Sequence, residues 1–180
     1  ITAIDYQNNF TVGGFCGKNN SIDGNYSTIT DNDWHLNLKA SLTNSETGSA
    51  KYGGKENDGT INKQLNFNFA KWINDNLKFR STVYSRQTKA DYDGSATDEN
   101  GYFADDKMHV IQMGLDSIKN NTEDSLTFHY NSYDREYEDG GYFDSYYSES
   151  VVVKGERKIK SSEKISIGFG TEYKYDYELN

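Results

Sequence analysis

An all-β fold is what this sequence predicts, and three observations predict it. Apolar residues recur at every second position in segment after segment, short Asn-, Asp- and Ser-rich breaks separate those segments, and the 180 residues contain no proline. Strand side chains alternate between the faces of a sheet, so each such segment has one apolar and one polar face. Proline would remove a ladder donor, and its absence suits long, continuously paired strands.

A first segment begins near Ser21 and ends at the tight break Asp31-Asn32-Asp33. Trp34-His35-Leu36-Asn37-Leu38-Lys39-Ala40-Ser41-Leu42 follows, with His35, Asn37 and Lys39 as its polar alternates. Leu65-Asn66-Phe67-Asn68-Phe69 repeats the rhythm, and Ile73-Asn74-Asp75-Asn76 separates it from Leu77-Lys78-Phe79-Arg80. Lys119-Asn120-Asn121-Thr122-Glu123 precedes Leu126-Thr127-Phe128-His129-Tyr130, and Lys160-Ser161-Ser162-Glu163 precedes Ile165-Ser166-Ile167-Gly168-Phe169-Gly170. Asn, Asp and Ser bond to their own backbone and tolerate left-handed conformations, so these breaks predict hairpin turns. Between them lie long polar connections rich in Gly and Asp, at about 46–60, 91–107 and 137–148. Short and long connections are therefore expected to alternate strictly, with every short turn at one end.

Composition limits where the apolar stripes can go. Only 34% of the chain is hydrophobic, and much of that is aromatic, with 15 Tyr, 9 Phe and 2 Trp. Disordered chains are poor in aromatics, so a folded chain is expected. A net charge of −9 argues against nucleic acid, which demands a basic surface. The lone Cys16 cannot form an internal disulfide and is expected to be a small packing residue. No apolar run approaches the roughly 20 residues of a membrane helix. Ile1-Thr2-Ala3-Ile4-Asp5 has neither an initiator Met nor a basic-then-apolar start, so a processed or truncated piece is expected.

The stripes must meet in a sandwich core or face lipid. Segments of roughly 9 to 13 residues approach the length that crosses a bilayer at a tilt, against about 5–6 in globular sheets. Tight turns at one end and long loops at the other are the rule for outer-membrane barrels. The fold class expected is therefore an antiparallel transmembrane β-barrel segment of about eight or nine strands. Leu65, Phe67 and Phe69 would face lipid, while His35, Asn37, Lys39, Asn66, Asn68, Lys78 and Arg80 would line a wet lumen. Trp34, Trp72, Tyr84, Tyr130 and Tyr173 fall near segment ends, as in an aromatic girdle. The Lys- and Glu-rich stretch 154–163 gives the poorest lipid face.

Several loops, one tight turn and a closing strand carry a family resemblance. Lys55-Glu56-Asn57-Asp58-Gly59 is followed by a strand and the turn Asn74-Asp75-Asn76-Leu77; Ala90-Asp91-Tyr92-Asp93-Gly94 is followed by Asp105-Asp106. Then come Tyr133-Asp134-Arg135-Glu136-Tyr137-Glu138-Asp139-Gly140-Gly141, Phe143-Asp144-Ser145-Tyr146 and the closing Gly168-Phe169-Gly170-Thr171-Glu172-Tyr173. Their order and spacing resemble the barrel of TonB-dependent outer-membrane receptors, and within them the cobalamin (vitamin B12) transporter branch. The resemblance implies a barrel of about 22 strands with a plugged lumen in the outer membrane of a bacterium. It also implies import of a scarce small-molecule nutrient such as cobalamin or a siderophore, driven by a TonB complex that engages an N-terminal box. Residues 1–180 would then be a partial barrel domain lacking the plug and the remaining strands, its partners being outer-membrane lipid, nutrient and TonB.

Within that branch acidic loop residues bind calcium and order the loops for substrate capture. By matching motifs, the positions that carry over are Glu56, Asp58, Tyr92 through its carbonyl, Asp93, and Asp105 or Asp106. Calcium takes about six to eight oxygen ligands, which neighbouring loops can supply together. Thr47-Gly48-Ser49-Ala50-Lys51 departs from the pattern, offering a lysine and no acid where the branch places a ligand. The alternative is that these acids form solvated turns.

Catalytic patterns are missing from the sequence. His35, His109 and His129 lie in separate strand segments without metal-ligand spacing, and there is no Gly-x-Ser-x-Gly elbow. No cofactor other than calcium is expected, and no enzymatic activity. Two other readings stay open: a small self-contained outer-membrane barrel, either a pore or a lipid-modifying enzyme, and a soluble β-rich binding domain.

Overall fold

The computed structural model describes residues 9–17, 19–30, 32–46, 59–91, 103–139, 141–161 and 165–179. They form one antiparallel nine-stranded sheet in simple meander order. Its strands are β1 (Asn9–Phe15), β2 (Asn19–Ile29), β3 (Trp34–Glu46), β4 (Gly59–Asn74) and β5 (Leu77–Asp91), then β6 (Phe103–Lys119), β7 (Thr122–Asp139), β8 (Tyr142–Lys160) and β9 (Ser166–Leu179). Each strand pairs only with its neighbours in sequence, and the sheet is open, with β1 and β9 at its two edges.

Asn and Asp make the short turns, as expected. Asp33 (φ 58°) and Asn120 (φ 47°) adopt the left-handed conformation that their short polar side chains tolerate. The Asn76 amide donates to Asn74 Oδ1 (3.0 Å), an Asx turn that follows a bulge between Trp72 and Asn74. Connections at the other end depart from expectation. Residues 47–58 and 92–102 lie outside the described residues, but β7 and β8 run on through the expected third long loop and leave only two residues between them. Tyr and acidic side chains alternate there, so the backbone stays extended despite a loop-like composition. Gly141 closes the connection at φ +87°, which a side chain would strain. β1 and β2 are also joined by a short connection at that end, so the strict short-long alternation does not hold. β6 begins at Phe103 rather than after Lys107. Most strands exceed the expected length, up to 19 residues in β8.

The two-beat rhythm sorts the side chains into faces without a slip. Directly paired residues of antiparallel strands share a face. One row of pairs runs Phe10, Tyr26, Leu38, Phe67, Val83, Ile111, Tyr130, Val151, Tyr175, apolar or aromatic in every strand. The adjacent row, on the opposite face, runs Asn9, Ser27, Asn37, Asn68, Thr82, Gln112, His129, Val152, Lys174. All seven side chains expected on the polar side, from His35 to Arg80, share that face.

Curvature gives the faces an inside and an outside. A cavity of about 930 Å³ opens on the polar face, bordered in turn by Trp72, Arg80, Asp116, Ser125, Glu156 and Gly170 of six successive strands. The sheet therefore bends around its polar side and turns its apolar side outward. No apolar core forms: among the described residues, Ala70 and Ala104 are the only buried hydrophobics, while Leu38 (41%) and Phe67 (37%) stay exposed. Cys16, expected to pack, is exposed as well.

Replacing Gly141 with Val should cost about 1–2 kcal/mol, because a β-branched side chain resists positive φ. Chemical denaturation would read the loss, and an unchanged midpoint would refute the strained-turn account.

Candidate functional site

Asn side chains build the middle of the concave face. The alternation of β3 and β4 puts Asn37, Asn66 and Asn68 on one side, and the register sets them beside Asn25 and Thr82. Asn37 Nδ2 donates to Asn25 Oδ1 (2.9 Å), Asn68 Nδ2 to Asn66 Oδ1 (2.7 Å), and Thr82 Oγ1 to Asn68 Oδ1 (2.9 Å). Asn68 Nδ2 also donates to Asn37 Oδ1 (3.3 Å), and because amides both donate and accept, the chain of bonds crosses four strands without a net charge.

Toward the end of the Asn and Asp turns the face becomes ionic. Arg80 Nε donates to Asp116 Oδ2 at 2.8 Å. Gly114, paired with Arg80, makes room for this: a Cβ there would lie 2.8 Å from the guanidinium carbon. On the outer face of the same end, Arg157 forks onto Asp124 through Nε and Nη2, the latter at 2.8 Å.

At the opposite end Asp105 and Asp106 part company. Both lie in β6 rather than in a loop, so their side chains leave opposite faces. Asp105 is on the outer face, 6% exposed, and accepts Gln87 Nε2 at 3.0 Å. Lys89 Nζ stands 3.2 Å from its carboxylate and Lys107 Nζ 4.0 Å away. Asp105 lies outward of the apolar row. Burial alone would raise its pKa, but Gln87, Lys89 and Lys107 together outweigh that and hold it below the usual carboxylate value. Asp106 is on the concave face, where Tyr133 donates its hydroxyl (2.8 Å) and Arg135 Nε lies at 3.5 Å. With β6 extended, these two carboxylates cannot face one calcium ion, and each already has cationic partners. Glu56, Asp58, Tyr92 and Asp93, the other expected ligands, lie outside the described residues.

The expected aromatic girdle is redistributed. Trp34, Tyr130 and Tyr173 are on the apolar face, whereas Trp72 and Tyr84 are on the polar one. Trp34 packs on Phe69 (centroids 4.9 Å), Phe69 on Phe79 (5.6 Å), and Lys71 caps Trp34 from 4.2 Å. At the opposite border Tyr147 and Tyr130 both donate to Glu149 Oε2, at 2.9 and 3.3 Å. Sequence reasoning also missed the Tyr-rich inner surface of the β7–β8 hairpin. The alternation Tyr133-x-Arg135-x-Tyr137 would have revealed it, had aromatic against acidic been read as a strand pattern.

Gly114→Ala should displace Arg80 and cost about 1 kcal/mol, the scale of one partly screened charge-assisted bond. In an Asp116→Asn background the same change should cost much less; equal costs in a denaturation cycle would refute the coupling. Asp105→Asn should cost about 1–3 kcal/mol at neutral pH. A folded-state pKa below the unfolded one makes this contribution full above about pH 4 and lost as pH falls through the folded value. The gap between wild type and variant should therefore close on acidification, and a gap constant with pH would contradict the assignment.

No family model matches this chain, and neither does any curated protein or solved structure.

Proposed function

We propose that this chain is part of the wall of a bacterial outer-membrane β-barrel, with its convex face against lipid and its concave face lining a polar lumen. One observation carries the reading: the curvature is inverted relative to a soluble β-fold. Soluble sheets bend around their apolar side and bury it against another layer, whereas this one bends around Asn, Thr and paired charges. A bilayer supplies the missing apolar partner.

The spacing of charges on the convex face supports the same reading. Charge-free stretches are bounded by Lys63 and Lys71 in β4, Lys107 and Lys119 in β6, Asp124 and Asp134 in β7, and Glu149 and Arg157 in β8. These borders are about 8–12 residues apart, or roughly 27–40 Å of strand. At a tilt of about 40° they enclose roughly 20–30 Å of height, near the ~25 Å apolar band of such barrels. Aromatic clusters at both borders suit the interface, and Lys71 stretches its stem across Trp34 as interfacial lysines do.

A TonB-dependent receptor that imports a small nutrient such as cobalamin or a siderophore is the parent protein we infer. The ordered resemblance of the quoted segments supports it, and the open meander of nine antiparallel strands is compatible with it. Capture at the rim and passage through a lumen, rather than catalysis, is the role assigned.

Phe67→Arg should destabilise the chain folded in lipid vesicles by about 2–4 kcal/mol. Asn66→Arg, one residue away on the concave face, should cost far less. Heat-modifiable gel migration and urea titration in vesicles would read both. Equal costs, or a folded monomer in buffer without detergent, would sink the membrane reading.

A further inference from the structure

The outward half of the β7–β8 hairpin carries its tyrosines asymmetrically. Beyond the row through Tyr130 and Val151, β7 turns Tyr133, Arg135 and Tyr137 to the concave face and Asp134, Glu136 and Glu138 to the convex one. β8 adds Tyr142, Asp144 and Tyr146 to the concave set. The Tyr133 and Tyr146 rings stand 6.0 Å apart, and the Arg135 guanidinium lies 6.0 Å from the Tyr137 ring. Arg135, Tyr137, Asp144, Ser145 and Tyr146 line a pocket of about 290 Å³ there.

We propose that this surface is a stacking platform for a neutral sugar ring, so that the nutrient captured at the rim is a carbohydrate. The proposal rests on the receptor reading above and puts a carbohydrate in place of cobalamin or a siderophore as its ligand. Tyrosine offers a flat face at little entropic cost, which suits the C–H face of a pyranose. Arg135 and Asp144 sit on the same face beside those rings as donor and acceptor for sugar hydroxyls. Charge removes the rival chemistries. An anion would meet a chain of net charge −9 and an Arg135 already engaged by Asp106 at 3.5 Å. A cation would meet the positive charge of Arg135, which stands 6.0 Å from the Tyr137 ring. A purely apolar ligand would strip water from Arg135 and Asp144 without replacing its hydrogen bonds.

The test is titration of the full chain, refolded into a detergent without a sugar headgroup, with maltohexaose, cellohexaose and chitohexaose. A ferric catecholate and spermidine serve as the anionic and cationic comparisons, with heat and tyrosine fluorescence as readouts. Saturable binding of at least one oligosaccharide is expected, weakened about tenfold by Tyr137→Ala or Tyr146→Ala. Tyr173→Ala on the convex face should leave it unchanged, with circular dichroism showing all variants folded. The proposal is overturned if a heat-modifiable, folded chain binds no oligosaccharide, if binding ignores both tyrosine variants, or if the catecholate or spermidine binds more tightly. Vesicle insertion is scored separately: sugar binding without insertion would support the platform and remove the receptor reading.

Discussion

Unbroken register across nine strands is the constraint on which everything else depends. A side chain's face is set by parity, so a one-residue slip between any two strands would move an entire apolar stripe to the concave side. The row from Phe10 to Tyr175 holds through all eight pairings. The one irregularity, beside Trp72, falls next to a turn, where it bends the chain without inverting the faces of β4 and β5. With no apolar core among the described residues, the sheet is held by its backbone ladder and by side-chain bonds across the concave face.

Those bonds divide by place. Across the middle of β2 to β5, neutral amides bond to one another beneath the apolar row. Ion pairs lie toward the two ends in β5 to β7, while Lys174 and Asp176 pair at mid-height in β9. At the outer end Asp105 and Asp106 serve opposite faces from adjacent positions. Each is compensated by a different cation, so the same acidic dipeptide ties β6 to β5 on the convex side and to β7 on the concave side.

The strand faces were legible in the sequence because apolar against polar is a strong period-two signal. Leu36, Leu38, Phe67 and Phe69 point one way, with Asn37 and Asn68 the other, as the rhythm of their segments predicts. Turns at Asp33 and Asn120 were legible because those residues accept positive φ at low cost. The β7–β8 extension was hidden: its alternation sets Tyr against Glu and Asp, which reads as loop wherever period two is equated with hydrophobicity. The same substitution of one contrast for another concealed the tyrosine platform and placed Asp105 and Asp106 in a loop. The aromatic borders were only partly legible. Tyr84 and Trp72 look like interfacial residues by type, but register puts them on the concave face, and type alone carries no parity.

The meander order has a consequence for how such a wall is made. Every strand finds its partner in the adjacent stretch of chain, so no pairing waits for a distant segment. Assembly can therefore advance as a zipper from either end, each added strand templated by the edge of the last. The growing margin always presents one free ladder, so the sheet at any intermediate width remains competent to accept the next strand. In the barrel proposed above, only a seam joining first strand to last would demand a contact of high sequence separation, so the entropic cost of closure would be concentrated in that one step.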